Sequence, residues 1–357
     1  MAVTLSDPTW AAMSEASRSI GYLDGVHRGL FSDAGTWAIA THEAVASATI
    51  GFGEVNVRKF RDAFVRREYA LDMDDAATAA AGGLQALVGL TPQHVARWDD
   101  NEWAVVGSVV RGQRSVFRQT GSPIRSTAFV PEIVRALKDR RVPPMVQAAI
   151  ATMVVAASAP EDPCTGILAR HLGLAVLARA GGCVDLRFPP VSMGLLAAPG
   201  SWDTIAHALV GPGSADAARL DAAMNAYFKA IAHATHAAGY YVESAARVVS
   251  REGGSARTRK NELTRTQERV LDLIVGLPAL SMRQLVALTG LTPRTLTRIV
   301  EVLAARDAIV VREKPDPEWT VVRARKPFGI FVDSVKFYPV SVGAPWPERE
   351  DWREVST

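Results

Sequence analysis

Apolar residues recur at helical spacing along most of this chain, and the pattern is sharpest between Leu280 and Leu303. Met282, Leu285, Val286 and Leu288 mark one short amphipathic helix, with Ser281 placed to cap its start. Gly290 is placed to end it, because glycine tolerates the left-handed conformation just past a helix C-terminus. Leu291 is the apolar plug of the turn. Thr292 then caps a second helix, with Pro293 in its first turn, where a missing N–H costs nothing. Leu296, Ile299, Val300 and Leu303 form the buried stripe of that helix. Upstream, Thr264 to Leu277 reads as a supporting helix with Val270, Leu271, Ile274 and Val275 inward. Downstream, Ala308 to Val311 and Trp319 to Val322 are β-prone, and the charged, proline-containing loop Arg312 to Glu318 separates them.

Three helices followed by a strand pair is the order of a winged helix-turn-helix, which makes double-stranded DNA the expected partner. Arg294, Thr295, Thr297 and Arg298 lie opposite the buried stripe, at the end of the helix that enters a major groove. Arginine there pairs with guanine O6 and N7, or holds a phosphate. The expected DNA-binding set is Ser281, Arg283, Thr292, Arg294, Thr295, Thr297 and Arg298. Arg257, Arg259 and Lys260 precede the module and either reach phosphate or a minor groove, or form a solvated linker. Between Arg251 and Ile330 there are 15 Lys/Arg against 9 Asp/Glu, a net +6 in a chain of net +3, so the remainder is about −3. That asymmetry suits a phosphate backbone. Use of the same module to dock a protein is the competing reading.

The first 250 residues read as mainly helical. Gly21 to Gly35 is rich in loop formers, Asn56 to Arg67 is a charged amphipathic helix, and Ala76 to Val88 is an alanine-rich helix. Gly112 to Pro123 reads as a basic loop and Val130 to Leu137 as a short helix. Val142-Pro143-Pro144 punctuates before a long apolar helix, Met145 to Ser158. A break at Glu161 to Thr165 precedes another helix, Gly166 to Ala180. Asp216 to Val249 is one long helix or a pair broken near Gly239. The expected division is 1–250 helical domain, 251–262 basic linker, 263–325 winged module and 326–357 extension, with a β-prone run at Val335 to Val342.

The length allows two or three domains, and 48% apolar residues can build a sizeable core. Two cysteines, Cys164 and Cys183, are too few for a disulfide framework and lack metal-ligand spacing. With no signal peptide visible, a reducing cytoplasm is expected. The longest apolar run, Ala148 to Ala159, is too short to cross a membrane.

The order Val-Pro-Pro, long apolar helix, short loop, G-x-x-x-R, apolar helix resembles the core of Fic domains, whose signature is H-P-F-x-[DE]-G-N-G-R-x-x-R. The corresponding segment runs from Ala159 to Arg170 and retains Pro160, Gly166 and Arg170. Ala159 stands at the position of the family's general base, Pro163 at that of its metal-binding acid, and Ile167 at that of its first arginine. Asp162 is one residue away from the acid position. Alanine cannot accept a proton and proline cannot bind a metal. The resemblance therefore implies a degenerate Fic-like fold without the family's nucleotidyl transfer. By the same resemblance, Asp24 before Gly25 suggests a relic ion pair with Arg170, whereas the residues alone suggest only a capped turn.

Leu23-Asp24-Gly25, Asp33-Ala34-Gly35 and Thr41-His42-Glu43, together with the C-terminal module, resemble a family of rhizobial plasmid proteins that carry a C-terminal helix-turn-helix. That resemblance implies DNA binding in association with a mobile element and brings no catalytic activity.

Other polar groups rank lower. His233 and His236 share a helix face but lack a third ligand, so core or surface histidines are the better reading. Asp33, His42 and Glu43 form either a hydrolytic cluster or, preferably, a hydrogen-bonded loop scaffold. Tyr240, Tyr241 and Glu243 read as packing or an oligomer seam. No P-loop, dinucleotide fingerprint or nucleophile elbow appears.

The expected protein is mainly α, a degenerate Fic-like domain followed by a winged helix-turn-helix that reads DNA with helix 293–306 as a transcriptional or mobile-element regulator. No cofactor or metal is expected. A homodimer is expected because two half-sites multiply the affinity of one small module. A small molecule or protein would act on the N-terminal domain. The alternatives are a divergent Fic-type nucleotidyltransferase using Asp162 and Arg170, or a non-catalytic adaptor.

Overall fold

A computed structural model of the chain describes residues 5–30, 34–65, 75–89, 141–179, 190–211, 216–254 and 263–324. The protein is mainly helical. The body contains α1 (Asp7–Leu30), α2 (Ala34–Phe52), α3 (Val57–Val65), α4 (Asp75–Gly89) and α5 (Pro144–Ser158). It continues with α6 (Pro163–Arg179), α7 (Val191–Ala197), α8 (Ser201–Ala206) and α9 (Ala217–Gly254). A C-terminal module follows: α10 (Arg265–Gly276), β1 (Leu280–Ser281), α11 (Met282–Thr289), α12 (Pro293–Ala305), β2 (Ile309–Arg312) and β3 (Val321–Ala324). The strands form an antiparallel sheet in the order β1-β3-β2.

Helix α2 is the centre of the body. Its residues Ala34 to Ala48 are all buried, and α4, α6, α7, α9 and α10 pack around it. A helix that is apolar all round has to be enclosed, and alanines let several neighbours approach it together. Helices α5 and α6 form a hairpin with Pro144 in the first turn of α5 and Pro163 opening α6. Helix α1 lies along α9, where Ser6 donates from its N–H and hydroxyl to the Asp221 carboxylate at 2.8 and 2.6 Å.

Several expectations change. Gly21 to Leu30 is helical as the end of α1, and Ala34 begins α2, so the loop read across Gly21 to Gly35 is replaced by helix at 21–30 and 34–35, and residues 31–33 lie outside the described set. Glycine within a helix costs only about 1 kcal/mol, and burial of Ala16, Ile20 and Leu23 on one face outweighs it. Helix α9 passes Gly239 unbroken and ends at Gly254, taking up the first four residues of the expected linker. The strands at 309–312 and 321–324 are shifted one or two residues from the β-prone runs, and β1 is an addition to the expected pair. The expected elements at 112–123, 130–137 and 335–342, and the extension 326–357, lie outside the described residues.

The C-terminal module packs directly on the body. The module shares one apolar core with the body. Thr41 Oγ1 donates to the Gly276 carbonyl at 3.1 Å, and Gln284 Nε2 donates to the Phe64 carbonyl at 2.8 Å. At Gly276 the α10 backbone lies against α2, so a Cβ there would meet the Ala34 carbonyl oxygen at 2.4 Å and the Trp37 Cβ at 2.5 Å. Both obstacles belong to a buried helix and cannot swing away. Gly276→Ala is therefore expected to destabilise the protein by about 1–3 kcal/mol through overpacking. Urea unfolding checks this, and wild-type stability would mean that the module does not sit on α2.

Candidate functional site

The α11–turn–α12 segment is built by local chemistry. Ser281 and Gln284 form a reciprocal capping box at the start of α11. Gly290 ends that helix at φ 69°, the left-handed region that a side chain resists. Thr292 Oγ1 accepts from the Thr295 N–H to start α12, with Pro293 behind it. Leu296, Ile299, Val300 and Leu303 are buried, which turns the other face of α12 outward.

That outer face carries Arg294, Thr295, Thr297 and Arg298, all exposed, as are Thr292 and Arg283. Thr297 Oγ1 donates to the Pro293 carbonyl at 3.0 Å, and the Thr292 and Thr295 hydroxyls share a hydrogen bond at 2.9 Å. Ser281 is a correction to the expected contact set. It is 1% exposed and engaged in its capping box, so it starts a helix and offers no group to a partner. Arg257, Arg259 and Lys260 fall outside the described residues. Within 263–324 there are nine Lys/Arg and seven Asp/Glu, so most of the expected +6 lies in the flanks. Loop 312–318 carries two cations and three carboxylates.

In the second region, Asp162 turns its carboxylate back onto α6. It accepts from the Thr165 N–H at 3.1 Å and from the Thr165 hydroxyl at 2.6 Å. The start of α6, where backbone amides could receive a phosphate, is thus capped by a negative side chain from its own chain. The end of α2 also closes over it, since a Cβ at Gly51 would come within 2.8 Å of the Pro163 Cβ. Ala159 is half-buried in the turn before it.

Arg170 is wholly buried about two turns into α6. Its Nε donates to Ser47 Oγ at 2.9 Å and its Nη2 to the Ser47 carbonyl at 2.7 Å. The guanidinium lies over the Trp202 ring, 4.3 Å from the centroid. Gly166 borders it, since a Cβ there would reach Arg170 Nη1 at 3.1 Å. Asp24 sits within α1, which removes the capped-turn reading, but its side chain is outside the described set. The described partners of Arg170 are Ser47, Trp202 and, electrostatically, Glu43.

Glu43 is the member of this cluster whose role the sequence did not disclose. It is wholly buried on α2, and both carboxylate oxygens accept from the Ser192 N–H at the start of α7, at 3.1 and 2.8 Å. Burial pushes it up to about 7, against the opposing pull of Ser192 and Arg170. A signal for it exists in the sequence: one carboxylate inside an otherwise small and apolar helix has to be enclosed and partnered. His42 and Glu43 thus belong to a helix, not to the expected loop scaffold, and Asp33 lies outside the described residues. His233 is half-buried, while the side chains of His236, Tyr240, Tyr241 and Glu243 are not described. Among the described residues no group of three His, Cys, Asp or Glu could hold a metal ion. Among them, too, no helix is long and apolar enough to cross a membrane.

No protein-family model matches the chain, and no curated protein matches it. Among solved structures, a Fic family protein from Desulfovibrio desulfuricans G20 is similar over 90% of this chain and 97% of its own, at 13% identity and a TM-score of 0.44. The chemistry of the site is therefore read from its own geometry.

The buried cluster sets a pH response. Burial pushes His42 down to about 3 from 6.5, and burial with the nearby Arg170 does the same to His171. The stability these neutral rings contribute is present above pH 6.5 and is lost as pH falls towards 3. Glu43 acts oppositely: its contribution is present below 4.5 and is lost as pH rises through 7. Two histidines outweigh one carboxyl, so thermal stability should decline below pH 6.5 and more steeply below 4.5. His171→Asn should flatten that slope by about 1.4 kcal/mol per pH unit. Melting curves across this range decide, and equal slopes in the two proteins would refute the assignment.

Proposed function

We propose that the protein binds double-stranded DNA through α12, as a transcriptional or mobile-element regulator. The observation that carries this reading is the outward face of α12, with Arg294, Thr295 and Arg298 exposed on a helix whose opposite stripe is fixed in the core. Helix, turn and helix followed by a hairpin have the geometry of a winged helix-turn-helix, in which the second helix enters the major groove. The resemblance to rhizobial plasmid proteins agrees with a mobile-element role. The body is read as a Fic-like scaffold without acid–base machinery. Ala159 offers no base, Pro163 no metal ligand, and Asp162 covers the helix start that would have to receive phosphate. Homodimerisation would pair two copies of α12 on two half-sites.

The test is binding of the full-length protein to a duplex library that includes the region upstream of its gene, at two salt concentrations. Specific, salt-sensitive binding is expected. Arg294→Ala and Arg298→Ala should each weaken it by roughly 1–3 kcal/mol where the arginine reads a base. Unchanged affinity in the double variant, or binding no stronger than to random duplex, would remove α12 as the reader. The adaptor reading, in which the module docks protein, would then take its place.

A further inference from the structure

The module has a second cationic surface, on the side of its sheet away from α12. Cross-strand partners share a face, and the register pairs Val310 with Arg323 and Arg312 with Val321. Ile309, Val322 and Ala324 point the other way into the core. Helix α3 of the body lies across the outer face, and Arg58, Arg61, Asp62 and Val65 follow one another at helical spacing along the side it presents. Between the two lies a groove of about 700 Å³. Among the described residues, Arg58, Arg61, Arg312, Lys314 and Arg323 line it, with Asp62 as the single carboxylate. Among the described residues no ion pair joins Asp62 to these cations. The floor is apolar, made by Val65, Ala279, Val310 and Val321.

We propose that this groove binds a small organic polyphosphate, with the phosphates on the arginines and the organic body on the valine floor. Its volume falls within the range of small-molecule sites, which combine apolar walls with a few placed polar groups. Arginine is suited to phosphate because its planar fork donates two parallel hydrogen bonds. A small ligand fits better than a duplex. The apolar floor of Val65, Ala279, Val310 and Val321 has no counterpart in a phosphodiester track. The site takes its walls from the body and from the module, so the ligand would bridge them. It does not rest on DNA binding by α12.

The experiment is calorimetric titration of the full-length protein with ATP and, separately, with inorganic tripolyphosphate, in low-salt buffer without divalent ions. Saturable binding is expected for both, tighter for ATP because only it covers the apolar floor. Arg58 and Arg312 are exposed and sit on opposite walls. Arg58→Ala and Arg312→Ala should each weaken ATP binding about tenfold, the loss expected for one charge-assisted contact. Arg294→Ala with Arg298→Ala should leave it unchanged, and ATP should raise the melting temperature of the wild type. Absence of saturable binding, or binding indifferent to both groove substitutions, overturns the proposal. So does displacement of ATP by duplex DNA together with equal loss of duplex affinity in the groove variants, which would make the groove a nucleic-acid track.

Discussion

The packing of this protein leans on the burial of α2 from Ala34 to Ala48. Fifteen consecutive residues, Ala34 to Ala48, are enclosed, so each face of the helix must find a partner. Trp37 and Thr41 meet α10 at Gly276. Glu43 receives the Ser192 amide at the start of α7, Ser47 receives Arg170, and Gly51 lies against Pro163. The order of small and polar residues along one helix thereby determines where the module docks, where the buried cation sits and how the start of α6 is closed. The cost of enclosing polar groups is high unless each is partnered. That explains why the helix offers a carboxylate and a seryl group to neighbours with matching donors.

The contact between α2 and α10 also decides how the module behaves. It is backbone against backbone at Gly276, with Ala34 and Trp37 opposite, and it leaves no flexible side chain to take up a displacement. Close-packed interfaces resist gradual deformation. Helix α12 is consequently held in a fixed relation to the body, unlike a reading domain swinging on a tether. The body also reaches the module through α9, which packs on α10, and through α3, which touches the module at β1 and supplies the Phe64 carbonyl to Gln284.

The sequence was most legible where local chemistry alone decides the structure. Ser281, Gly290, Thr292 and Pro293 each act through their immediate neighbours, and the apolar stripe of α12 follows from a period that needs no tertiary knowledge. Legibility failed where distant packing overrides local preference. Gly21, Gly25 and Gly29 look like loop residues until α9 is present to bury one side of α1. Residues 251–254 look like linker by composition, yet α9 continues through them. Glu43 and Arg170 can each be noticed alone. Their meeting depends on α2 and α6 packing across more than a hundred residues of chain, which no spacing within either segment encodes.

Charge shows the same division between composition and placement. Read along the chain, the C-terminal region is one basic block, and a basic block suggests one polyanionic partner. In the fold the cations separate by the pleat of a small sheet and the turn of one helix. Arg294 and Arg298 face outward from α12, while Arg312 and Arg323 stand on the far side of β2 and β3, beside Arg58 and Arg61 from a helix more than two hundred residues earlier. Surface potential acts over roughly a Debye length of 8–10 Å in ordinary salt, so a ligand feels mainly the cations on the face it touches. A net charge counted along the sequence therefore overstates the charge that any one ligand meets. The chemistry of each face has to be argued from the side chains that share it.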